Sequence, residues 1–167
     1  MREHVLANIA ASRAARESSN FHVHAAFERL GQMRRELGMP NTGVRQVDGV
    51  LGELSLNGQR HYGINSWTRS DDVARQAFID AGFANPVSGR PPLSIVAHHA
   101  EGDAVLQAFR TGNTGGHGTW FVDGELCGFC GRSGGLRGLG RGLGLSRLEV
   151  YERLPNGTFR HTPNILE

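Results

Sequence analysis

The sequence predicts an α/β (α+β) fold, a mixed sheet with helices packed on it, preceded by a helical extension and closed by an antiparallel β-hairpin. Three observations carry this. Asn57-Gly58 is a favoured two-residue hairpin turn and sits between two alternating apolar runs. A second turn of this kind, in Pro155-Asn156-Gly157, separates two short strand-like runs near the end of the chain. Between the two hairpins, segments of helical period alternate with a single strand-like stretch, GTWFVD.

Residues 1–46 read as the helical extension, in two helices. REHVLANIAASRAARE repeats apolar residues at Val5, Leu6, Ile9 and Ala10, and SSN then offers N-cap residues. FHVHAAFERLGQMRRELG carries an apolar face of Phe27, Leu30, Met33 and Leu37, with His22 and His24 as surface histidines, and ends at Gly38 and Pro40. Residues 47–167 form the main domain. Strands are expected at Val50–Leu56 and Gln59–Asn65. A helix follows with Ser70 as N-cap, Asp71 and Asp72 in its first turn, and an apolar face of Val73, Phe78 and Ile79. ANPVSGRPP is a loop, LSIVA is briefly extended, and a helix opens near His98. Thr119–Val122 is a buried strand in which Trp120 and Phe121 face opposite sides. Cys127 begins a modest helix that dissolves into a Gly/Arg loop, and the closing hairpin pairs Arg147–Arg153 with Thr158–His161.

With 167 residues the chain can bury one core without a disulfide staple. All 18 basic residues are arginine, which fits either a GC-rich genome or contact with phosphate through arginine's planar fork. The two cysteines, Cys127 and Cys130, would close too small a loop to act as a staple, so they read as a redox pair or as part of a metal site. No apolar run is long enough to span a membrane, and the N-terminus has no secretory apolar region. The expectation is work in aqueous solution, with no membrane and no targeting signal in this chain.

His99 and Glu101 stand at the mouth of a helix as H-x-E, and Cys127 and Cys130 follow as C-x-x-C. One imidazole and two thiolates suit Zn2+, and a catalytic zinc site leaves the fourth position to water. Glu101 would not bind the metal; its carboxylate would take a proton from that water and pass it to a ring nitrogen and to departing ammonia. His98 adjoins His99 and is an alternative ligand, although the H-x-E spacing favours His99. A purely structural zinc would need a fourth protein ligand, such as His98, His117 or His161. A redox C-x-x-C would follow a strand in a βαβ unit, which this pattern lacks.

The H-x-E…C-x-x-C order, HAEGDAVLQAF, TWFVD, LCGFCG and the closing hairpin resemble the cytidine-deaminase superfamily. More narrowly, from about Gly49 to His161, the chain is similar to the deaminase domains of bacterial polymorphic toxins. These include the interbacterial toxin that deaminates cytosine in double-stranded DNA and its single-strand-acting relatives. Leu126 stands where the family usually has proline. The resemblance implies a three-layer fold with a five-stranded mixed sheet and helices on both faces. Because the Pro155-Asn156-Gly157 turn makes the last two strands antiparallel, it argues against the tRNA- and mammalian-type editing enzymes. The implied activity is zinc-dependent conversion of cytosine to uracil in DNA, single-stranded and possibly double-stranded. The chain would be a monomeric effector domain acting in the cytoplasm of a target bacterium, with a cognate immunity protein. RNA, free cytidine or nucleotides, and a non-catalytic zinc-stabilised binding module are the alternatives.

By the same similarity, Asn65 at the end of the second strand helps hold the nucleoside, with Ser66 beside it and Trp67 as a stacking surface; Asn65 as a plain strand end and Trp67 as core are the other readings. The backbone N–H of Ala100 would bond the pyrimidine carbonyl. Phe129, inside the C-x-x-C, either packs or walls the base pocket. Arg132, Arg137 and Arg141, in a glycine-rich stretch without acidic residues, are candidates for contact with a nucleic-acid backbone.

Overall fold

The computed structural model describes residues 2–40, 49–65 and 70–167. The order of elements is α1 (Arg2–Glu36), β1 (Val50–Leu56), β2 (Gln59–Asn65), α2 (Asp71–Asp80), α3 (Ser94–Ala97), α4 (Ala100–Arg110), β3 (Gly116–Val122), α5 (Gly135–Gly142), β4 (Leu145–Arg153) and β5 (Phe159–Thr162). The boundary expected between residues 46 and 47 lies outside the described residues. Among the described residues no helix is long and apolar enough to cross a membrane.

The strands form one five-stranded sheet in the order β2-β1-β3-β4-β5. β1 runs antiparallel to both β2 and β3, β3 runs parallel to β4, and β4 runs antiparallel to β5. The expected mixed sheet and closing hairpin are therefore present. In the first hairpin, Asn57 and Gly58 both take positive φ (51° and 75°), the conformation a two-residue turn of this hand requires. In the second, Leu154 N–H donates to the Thr158 carbonyl at 2.8 Å.

Each face of the sheet buries its own core. Trp120 and Phe121 alternate across β3, as residues of a strand must. Trp120 joins the core shared with α2 to α5, and Phe121 joins Val23, Ala26, Phe27 and Leu30 of α1. The indole of Trp120 lies over Gly52, where a Cβ would stand 2.0 Å from the ring. Glycine is thus the residue that lets Trp120 lie flat against β1. The edge strand β2 is covered by α4. Asp103 Oδ2 accepts from Ile64 N–H at 3.0 Å, and the Gln107 amide donates to the Tyr62 carbonyl at 2.8 Å, so backbone groups of this edge are capped by helix side chains.

The structure corrects several expectations. α1 is a single helix rather than two, because Ser18, Ser19 and Asn20 are only weakly unfavourable inside a helix and neither glycine nor proline stands there to break it. It ends at Gly38, with φ 65°, where Gly38 N–H bonds the Arg35 carbonyl and Met39 N–H bonds the Arg34 carbonyl, so Leu37 lies outside the buried stripe and is exposed. In α2 Ser70 caps Val73 N–H as expected, but Ala74 and Phe78 face the core while Val73 and Ile79 are exposed. The LSIVA segment contains the short helix α3, and Cys127 lies in a run of turns, not at a helix start. The stretch expected to be a Gly/Arg loop holds α5, entered from Gly134 at φ 76°. Its Leu136 and Leu139, buried against the sheet, supply the apolar stripe that outweighs the glycine content.

A Cβ on Gly63 would sit 1.8 Å from the Ala100 carbonyl oxygen, the first residue of α4. Gly63→Ala is expected to cost about 1–3 kcal/mol through this overlap alone, since φ is not the constraint. Denaturant unfolding checks it; an unchanged midpoint would mean that α4 shifts without penalty.

Candidate metal centre and active site

The first turn of α4 is fixed by two glycines. Gly63 admits it against β2, and Gly102 admits it against α3, where a Cβ would meet the Val96 and Ala97 carbonyl oxygens at 2.4 and 2.5 Å. His99 is the residue before this turn, extended at φ −68° and ψ 163°, and its ring does not cap the helix. It turns instead to the cysteines. His99 Nδ1 lies 3.2 Å from Cys130 Sγ and 3.4 Å from Cys127 Sγ.

The cysteines come from the crossover between β3 and β4, which a parallel pair requires. Gly131 N–H bonds the Cys127 carbonyl at 2.9 Å and Ser133 N–H bonds the Gly128 carbonyl at 2.8 Å, folding residues 127–133 into consecutive turns. Cys130 N–H also points at Cys127 Sγ, at 3.5 Å. The chain enters these turns through Leu126, whose N–H donates to Glu152 Oε1 at 2.7 Å. Proline at this position could not make that bond. Glu152 is buried and also takes a double hydrogen bond from Arg160, at 2.9 Å each. Nothing in the sequence marked Glu152, because a strand carboxylate acquires this role only through β4–β5 pairing.

The donor atoms of His99, Cys127 and Cys130 all lie within 4.8 Å of one another, and this trio could hold a metal ion. No fourth ligand joins them among the described residues. His98 is drawn elsewhere, its Nδ1 3.0 Å from Asp71 Oδ1 and 3.4 Å from the Ser94 carbonyl. His117 is exposed on β3, and His161 on β5 stacks on Tyr151 with centroids 4.2 Å apart.

The three groups of the trio shift one another's proton affinities. A hydrogen bond from Cys130, helped by His99 against the cost of burial, lowers the Cys127 thiol to about 3. The resulting thiolate, together with burial, pushes Cys130 up. Burial lowers His99, but the bond to Cys127 and its negative charge outweigh that and raise it overall. Glu101 is 5 % exposed, and burial pushes its carboxyl above the ordinary range, opposed by its own backbone N–H and by His99.

These groups open into a cleft of about 170 Å³, lined also by Val50, Asn65 and Phe129. Strand register explains the convergence. Asn65 pairs with Val50 and Val122 pairs with Gly52, so β2 and β3 finish at the same end of the sheet, beside the start of α4. Asn65 Oδ1 is buried there without a hydrogen-bond partner. Ala100, buried at the first position of α4, carries one of the N–H groups that a helix leaves without an internal acceptor. Phe129 is 47 % exposed at the cleft's rim. Ser66 and Trp67 lie outside the described residues.

The arginines separate into two groups. Arg132 is exposed within the turns. Arg137 and Arg141 lie on α5 rather than on a loop, and their guanidinium groups bond carbonyls of residues 165–167: Arg137 to Ile165 and Glu167 at 3.0 and 2.9 Å, Arg141 to Leu166 at 3.2 Å. They fasten the end of the described chain to α5.

In metal-free protein, a Cys127 thiol lowered to about 3 stays thiolate above that pH. Its alkylation by iodoacetamide is therefore expected to stay level from pH 8 down to 5, whereas an ordinary thiol slows about tenfold per unit below its pKa of about 8.5. Mass spectrometry identifies the modified residue. A rate that falls in the ordinary way would remove the thiolate assignment, and added zinc is expected to protect both cysteines.

No curated protein and no solved structure matches the chain. A family model described as MafB19-like deaminase matches residues 27–167, from the buried half of α1 through the last described residue. With a deaminase fold, the His-Cys-Cys cluster and Glu101 at one cleft, the chain belongs to the MafB19-like deaminase family.

Proposed function

We propose that the chain is a zinc-dependent hydrolytic cytosine deaminase acting on DNA, with single strands favoured and duplex possible, as the toxic domain of an interbacterial effector. The observation that carries this is one buried carboxylate, Glu101, beside a three-ligand cluster in a cleft whose wall presents the unpartnered Asn65 Oδ1. Two thiolates and an imidazole fit zinc better than harder cations, and three protein ligands match a catalytic rather than a closed structural site.

His99, Cys127 and Cys130 would hold the zinc, which when bound supplies the Lewis acidity that makes water a nucleophile at neutral pH. Glu101 takes the proton that this water gives up. Its raised proton affinity, a consequence of burial, suits a carrier that must hold a proton and release it again. It delivers the proton to N3 of the ring as oxygen adds at C4, then serves the departing amine. Water is consumed and ammonia leaves, so cytosine becomes uracil. Ala100 N–H donates to the pyrimidine carbonyl, the Asn65 amide helps hold the target nucleoside, and Phe129 walls the base. A duplex must first extrude its base at a cost of a few kcal/mol, which single strands avoid.

The toxin setting, action in the cytoplasm of a target bacterium, a monomeric state and an immunity protein that occludes the cleft rest on the resemblance to polymorphic-toxin deaminases. Arg132 remains a candidate for contact with the nucleic-acid backbone.

Wild-type protein and Glu101→Ala are compared on single-stranded DNA, duplex DNA, RNA and free cytidine, with uracil read by mass. The variant is expected to lose about 100-fold or more in rate while keeping its zinc. Retained activity would remove Glu101 from proton transfer. Conversion of free cytidine alone would move the substrate to nucleosides.

A further inference from the structure

A second, larger cleft of about 320 Å³ adjoins the catalytic one. Phe129 lines both, so a single exposed ring divides them. Its other walls come from α2, from the loop between α2 and α3, and from the start of α5. They include Arg75, Asn85, Arg90, Leu93 and Ser133, and no acidic residue. Arg75 and Arg90 form no ion pair among the described residues, whereas Arg13, Arg29, Arg34, Arg60, Arg147 and Arg160 do.

The wall carrying Arg90 is preformed. Asn85 N–H bonds the Arg90 carbonyl at 2.9 Å, Gly89 N–H bonds the Asn85 carbonyl at 2.7 Å, and Asn85 Oδ1 accepts from Val87 N–H at 2.9 Å. The loop thus closes on itself, and Pro91 and Pro92 stiffen its exit toward α3. Two cations without acidic partners, small polar groups, and an exposed aromatic ring at the boundary with the catalytic cleft form the surface that a single strand requires: phosphate clamps in a cleft with a stacking face at its border.

We propose that this second cleft seats the nucleotide adjoining the target base, with Arg75 and Arg90 holding backbone phosphate and the neighbouring base stacked on Phe129. The inference rests on the deaminase reading and adds to it the residues that hold the nucleotide beside the target base. It also places the phosphate grip on α2 and the 85–90 loop rather than on Arg137 and Arg141, which hydrogen-bond carbonyls of residues 165–167.

The test measures binding of a fluorescent oligothymidylate, which contains no target base, by anisotropy across a salt series. Zinc-loaded wild type is compared with Arg75→Glu/Arg90→Glu and with Arg110→Glu, a single charge reversal at an exposed site on the last turn of α4. The double variant is expected to bind at least tenfold more weakly. Its salt slope should be shallower by about 1.4, the share of two phosphate contacts on a single strand. The Arg110 control should match wild type in both. If charge reversal unfolds the chain, Arg75→Gln/Arg90→Gln carries the same comparison. Equal binding by the double variant and the control, or no binding by wild type, overturns the proposal. Free cytidine assayed alongside separates the two ideas. Cytidine converted without arginine-dependent binding rejects the cleft and keeps the deaminase. Arginine-dependent binding without deamination of any substrate keeps the cleft and rejects the reading beneath it.

Discussion

The first turn of α4 is held in a slot one backbone wide. Gly63 of β2 lies on one side and α3 presses on Gly102 from the other, and a methyl group on either glycine would overlap backbone atoms. Everything chemical in the chain depends on that seat. His99 precedes the turn, Ala100 and Glu101 open it, and the cluster atoms must converge within a few ångströms. The start of α4 presents a ligand, a free N–H and a carboxylate within three consecutive residues. Its dipole also favours the negative charge gathered in front of it.

The other side of the sheet is secured by charge. Glu53 is fully buried in β1, and Arg29 of α1 reaches it with two hydrogen bonds of 2.8 and 2.7 Å. Arg34, itself buried, bonds Asp123 at 2.9 Å and the carbonyls of Pro40 and Gly49, while Asp123 also accepts from Leu51 N–H. Buried ion pairs of this kind add little net stability over an apolar substitute, yet removing one partner costs several kcal/mol because the other is left without compensation. Their effect here is specificity. They fix the rotation and position of α1 on the sheet, and they tie the residue after β3 to β1 just before the chain turns toward the cysteines. The match of the family model from residue 27 onward agrees with this, since the half of α1 that bears the anchors lies within it.

Legibility in the sequence followed how local each cause is. The first hairpin was readable to the residue because Asn57-Gly58 dictates both turn and register. The alternation of Trp120 and Phe121 followed from strand geometry alone. The grouping of His99, Cys127 and Cys130 was readable because the chemistry of a metal site restricts residue type and spacing. What escaped had tertiary causes. The Ser18-Ser19-Asn20 segment signals a helix start, but no competing structure uses that signal, so the helix runs through it. Helix α5 forms in a glycine-rich stretch because its leucines find the sheet, and its arginines find carbonyls of residues 165–167 that no local pattern connects to them. Glu152 and Asp71 became part of the site through partners far away in the chain.

Charge balance joins the fold to the chemistry. The cleft gathers two thiols, an imidazole and a carboxyl in a buried space, and without a cation they cannot all ionise; Cys127 takes the negative charge while Cys130 and Glu101 are pushed toward their protonated forms. A divalent ion would reverse this. Two thiolates and a neutral imidazole would offset its charge, leaving Glu101 as the remaining buried acid in the cleft, whose other carboxylate, Glu125, is exposed. Burial makes the Glu101 carboxyl hold its proton more firmly than an exposed glutamate does. The proposed role of carrying protons between water and a ring nitrogen suits such a group. It follows from Glu101 lying close to the cluster without belonging to it, which in turn follows from the two-residue step between His99 and Glu101 at the start of a helix that glycines allow to come so near.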